Sequence, residues 1–72
     1  MFKIYITFAD NGGSHIEEHS EDTVVSALQR LTRGPAALMG IIEEVRVVDR
    51  DDCTNFLARK QGRKMNVLFP RA

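Results

Sequence analysis

The chain has one cysteine, two prolines, no tryptophan and no excess of charge of either sign. Each scarcity excludes something. A lone Cys53 leaves no partner for an intramolecular disulfide, so burial and hydrogen bonding have to hold the fold, and a reducing compartment is the natural setting. Ten Lys and Arg balance ten Asp and Glu. That balance argues against binding nucleic acid through bulk charge, since such domains are usually strongly basic. It also removes the repulsion that keeps copies apart, which favours a homodimer. No apolar run approaches the ~18 residues of a spanning helix. The opening stretch, MFKIYITFADNGG, alternates and lacks the apolar block of a signal peptide. The expectation is a cytoplasmic protein with no membrane partner.

What is present is ordinary globular composition. Apolar residues make up 43% and charged residues 28% of 72 positions, which suits a folded chain and not a disordered one. Such a chain makes one domain, 1–72, burying only about 60% of its unfolded surface. Its best-specified stretch is SEDTVVSALQRLTRGP, from Ser20 to Pro35. Val24, Val25, Leu28 and Leu31 recur at helical spacing, with Ala27 beside them, and predict one apolar stripe. Ser20 is placed as an N-cap whose hydroxyl accepts from first-turn N–H groups. Glu21 and Asp22 sit at the positive end of the helix dipole, Arg30 and Arg33 at the negative end. Gly34 is expected to end the helix in a left-handed conformation, and Pro35 blocks continuation.

Before the helix, Phe2, Ile4, Ile6 and Phe8 alternate with Lys3, Tyr5, Thr7 and Ala9, a half-buried strand. Asp10-Asn11-Gly12-Gly13 is hairpin turn chemistry. Ser14 to His19, with Ile16 as its apolar anchor, reads as an edge strand protected by Glu17 and Glu18. After the helix, Pro35 to Met39 suits a short helical turn. Ile41 to Val48 is a strand with Val45 and Val47 on one face and Arg46 and Val48 on the other. Asn55–Lys60 and Lys64–Phe69 form a hairpin around Gln61-Gly62, with Met65, Val67 and Phe69 inward, and Pro70 ends it. The predicted class is α+β. One antiparallel sheet of four to five strands, ββαββ(β), carries a single helix on one face.

No segment carries a catalytic signature, and no cofactor is expected. His15-Ile16-Glu17-Glu18-His19 matches the inverted zinc-protease pattern H-x-x-E-H. That motif works on a helix, where residues four apart share a face. On a strand the two histidines stand roughly 13 Å apart, too far for one metal. Asp49-Arg50-Asp51-Asp52 begins like a calcium loop, but Cys53 and Thr54 fall where an oxygen ligand and a glycine are required. Cys53 has no evident base and reads as a partly buried thiol. Gly12-Gly13 lacks the lysine of a phosphate loop. The protein is expected not to be an enzyme.

Two surfaces remain. Arg59, Lys60, Arg63 and Lys64 crowd the last hairpin tip, while Asp10 to Asp22 holds five carboxylates and no basic residue. Such a tip suits phosphates or an acidic protein surface. Phe56 and Phe69 look internal and only Tyr5 outward, so base stacking is poorly served. On the sheet face away from the helix, Tyr5, Val48, Leu57 and Leu68 come from four strands and can form an apolar patch.

In size, lack of motif and strand–strand–helix–strand–strand layout, the chain resembles small α+β proteins of phages and other mobile elements, the anti-CRISPR proteins among them. The resemblance is architectural and transfers no functional residue. It implies a non-enzymatic inhibitor or adaptor that occupies the surface of a bacterial host protein or ribonucleoprotein complex, in the host cytoplasm. The alternative is a nucleic-acid-binding module using the Arg59–Lys64 tip.

Overall fold

The computed structural model describes residues 1–70. It contains β1 (Phe2–Phe8), β2 (Ser14–His19), α1 (Glu21–Arg33), the single-turn α2 (Pro35–Leu38), β3 (Ile42–Val48), β4 (Thr54–Gln61) and β5 (Lys64–Phe69). The strands form one antiparallel sheet in the order β2-β1-β3-β4-β5. This is the α+β architecture that the alternation and the single helical stripe imply. Short connections explain the order, because α1 carries the chain from the outer strand β2 across β1, so that β3 pairs on the free side of β1.

Alternation decides which side chains meet the helix. Ile4 and Ile6 of β1 stand opposite Val47 and Val45 of β3, which stand opposite Phe56 and Ala58 of β4. Val24, Ala27 and Leu31 of α1 close over this layer, with Phe2, Phe8 and Leu28 packed at its margin. The helical stripe is narrower than its spacing suggests. Val25 is 60% exposed, since its neighbour Val24 takes the core direction and the next residue is turned ~100° away.

Turns follow their chemistry. Asp10 and Asn11 both have positive φ, 55° and 63°, and Gly12 N donates to Ala9 O, the type I′ pattern that matches strand twist. At the second hairpin Gly62 alone is positive, at 65°, which fits type II′.

Several expectations need correction. Gly34 is extended, with φ −80° and ψ −178°, and not left-handed. Its missing side chain matters through contact, since a Cβ there would lie 2.2 Å from Arg30 O, which accepts the Gly34 N–H. Ser20 is the N-cap, but its hydroxyl makes no cap bond. Its carbonyl accepts from Thr23 and Val24 instead. Ile16 is no core anchor: it is 52% exposed, because its pairing with Tyr5 turns it away from the helix. Phe69 is 46% exposed instead of inward, because a one-residue shift between Leu57 and Ala58 ends the alternation. Val67 does face the helix side, opposite Ala58, but is 50% exposed, Val48 is buried, and Cys53 is exposed and not partly buried.

Candidate functional site

Direct partners in an antiparallel ladder share a face, so the register shows what the sheet presents on its uncovered side. Ile16 pairs with Tyr5, Tyr5 with Arg46, Arg46 with Leu57, and Leu57 with Phe69. One row therefore crosses all five strands. The bulge sets Leu68 and Phe69 together opposite Leu57. In the middle of the row the Arg46 guanidinium lies 5.0 Å from the Tyr5 ring centre, a cation–π distance. One step toward the last hairpin, Arg59 Nε approaches Glu44 Oε1 at 3.4 Å. The site residues Tyr5, Leu57 and Leu68 are thus brought onto one surface. Arg46, Ile16 and Phe69 join them, the last two placed there by strand register and by the bulge, which no local pattern of the sequence encodes.

The basic tip is divided. Arg59 and Lys60 are consecutive on β4, so they point to opposite faces. Arg59 turns to Glu44 on the open face, and Lys60 donates from Nζ to Gly40 O at 3.2 Å on the helix side. Arg63 and Lys64 make no ion pair among the described residues. Lys64 and Arg63 line a hollow with Leu38 and Arg33, near α2. Two cations therefore project freely where the sequence suggested four.

The histidine motif lies on β2, an edge strand, as its lack of a helical stripe implied. Its carboxylate has a structural task. Glu17 Oε1 accepts from His19 Nε2 at 2.8 Å and from Arg30 Nη2 at 2.8 Å, tying the edge strand to α1. His15 Nε2 stands 3.8 Å from Glu17 Oε2. The other ring nitrogen, His19 Nδ1, lies 3.1 Å from the Thr23 hydroxyl, within hydrogen-bond distance. The His19 hydrogen bond, with Arg30 behind it, holds the Glu17 carboxyl below the usual glutamate range against a smaller opposing effect of burial. A carboxylate so held is a poor proton acceptor near neutral pH.

In the β3–β4 loop Asp49 takes a comparable role. Oδ1 accepts from Asp51 N and Cys53 N, at 2.9 and 3.0 Å, and Oδ2 from Asn55 Nδ2 at 3.1 Å. The Asn55 bond, then those from the backbone, lower its carboxyl below the usual aspartate range. Its oxygens are occupied in shaping the loop.

The fold and surface define a small α+β protein whose chemistry lies in the residues it presents. No family model, curated protein or solved structure matches the chain. Among the described residues no helix is long and apolar enough to cross a membrane.

Proposed function

We propose that this protein is a non-enzymatic binding module, an inhibitor or adaptor of mobile-element type, that lays the open face of its sheet on a protein partner. One observation carries the reading: the unbroken row Ile16, Tyr5, Arg46, Leu57 and Phe69 across all five strands on the side without a helix. Tyrosine and arginine are the residue types that most often dominate binding energy, and here they sit stacked at the centre of the row. The molecule measures 30 × 27 × 19 Å. A face bounded by its two longer dimensions has room for the ~800 Å² that one partner contributes to a standard interface. The architectural resemblance suggests a bacterial host protein or ribonucleoprotein complex, including a CRISPR effector, in the host cytoplasm. Affinity capture from bacterial lysate with the wild-type chain and an open-face variant tests the reading. A stoichiometric protein held by the first and lost by the second supports it.

Nucleic-acid binding through the tip is the second reading, and the two uncommitted cations Arg63 and Lys64 favour it. A gel shift at low salt decides it, since phosphate contacts weaken steeply as salt rises. No shift with duplex DNA, single strands or RNA ends that reading.

A further inference from the structure

The other side of the sheet is not fully covered either. Five strands at ~4.8 Å spacing span roughly 19 Å, whereas one helix is ~10 Å wide. The helix α1 packs over the β2, β1 and β3 half, and α2 meets β5, its Ala37 and Leu38 lining one hollow with Lys64 and Met65. Beside α1 a groove is left open. Its apolar half, about 290 Å³, is lined by Val25 and Leu28 of α1 with Phe56, Met65 and Val67 of β4 and β5. It continues past Thr32, Arg33 and Met65, which line both halves, into a hollow bordered by Leu38, Arg63 and Lys64. Beyond this, Lys60 and Met39 extend the same border. The chain has ten carboxylates, yet none of the described ones lines any part of the groove. Leu38 and Met39 at the basic end are each 74% exposed.

We propose that this groove is a docking site for an acidic amphipathic helix of a protein partner. Width selects a helix. An interaxial separation of 8–10 Å from α1 places a second helix over β4 and β5, giving two helices on five strands. Charge selects its polarity. Apolar side chains at helical spacing enter between Val25 and Val67, and carboxylates at one end meet Arg33, Arg63 and Lys64. A nucleic acid would have no use for Leu38 and Met39, and the groove wall opposite the cations is apolar, which suits a peptide better than a phosphate chain. This surface is separate from the row on the open face, so either can fail alone.

The test is selection of a displayed library of ~14-residue helix-forming peptides, ~21 Å long when helical, on the full chain. The expected winners carry apolar residues at i, i+3, i+4 and i+7 with Asp or Glu gathered at one end. Their affinity should fall about tenfold, ~1.4 kcal/mol, in Val67→Glu and in Arg63→Glu. Leu57→Ser, on the other face, should leave it unchanged. Both groove positions are exposed, and an unchanged melting temperature verifies that each variant folds. The proposal is overturned if no peptide is enriched, or if winners are basic or bind both groove variants at full strength. It is equally overturned if Val67→Glu abolishes a concentration-dependent dimer seen by light scattering, which makes the occupant a second copy. Oligonucleotides or phosphatidylglycerol vesicles bound in place of the peptides, with the same dependence on Val67 and Arg63, also overturn it.

Discussion

Arg46 stacks on Tyr5 at 5.0 Å from its ring centre, joining β1 to β3 in the middle of the face that α1 leaves open. The pair is exposed enough that its own contribution to folding should be small. A double-mutant cycle with Tyr5→Leu and Arg46→Ala, followed by denaturant unfolding, should give a coupling of about 0.5–1 kcal/mol. A coupling of zero would mean that the two side chains act independently in solution.

Gly34 offers a sharper stability test. Its φ of −80° is open to any residue, but a Cβ would lie 2.2 Å from Arg30 O, a backbone atom. Gly34→Ala should therefore destabilise by at least the ~1–3 kcal/mol of an overpacked site. The conformational argument predicts little effect here, so an unchanged melting temperature would show that the α1–α2 junction shifts freely.

The helix stripe makes a paired prediction. Leu31→Ala should cost about 2–5 kcal/mol, as buried leucines do, and Leu28→Ala less, because Leu28 packs at the core margin. Val25→Ala should stay within about 0.5 kcal/mol. Similar costs at Leu31 and Val25 would mean that α1 is rotated on the sheet.

Much of this fold can be read from the sequence, and the reasons differ by element. The strict alternation of β1 and the cap-to-stop pattern of α1 are local signals, and both elements form where they predict. Ile16 and Phe69 are misread because their direction depends on register and, for Phe69, on the extra residue Leu68 in β5, which no local pattern encodes. The Glu17–Arg30 bond joins residues 13 apart in sequence, and only the docking of α1 on β2 brings them together. The division of the basic tip was legible, since adjacent strand residues alternate. So was the groove, in the disproportion between one 13-residue helix and five strands.

Glu17 predicts how stability responds to acid. Its folded-state carboxyl is held below the unfolded value, first by His19 and then by Arg30. The stability it adds is fully present above the ordinary glutamate value of about 4.3. It is lost as pH falls through the depressed folded value. Melting temperatures of the wild type should therefore decline as pH falls below about 5, and Glu17→Gln should flatten that decline. Asp49, lowered in the same direction, acts with the same sign. An identical slope in both proteins would remove Glu17 from the account.

The claim that the open face is the working surface is tested most directly by comparative capture. Wild type, Leu57→Ser with Leu68→Ser, and Arg63→Glu, all checked for unchanged melting temperature, are used to retain proteins from one bacterial lysate. The account predicts a stoichiometric protein partner on the wild type and on Arg63→Glu, and its loss from the Leu57→Ser, Leu68→Ser chain. Retention of that partner by the open-face variant would contradict it.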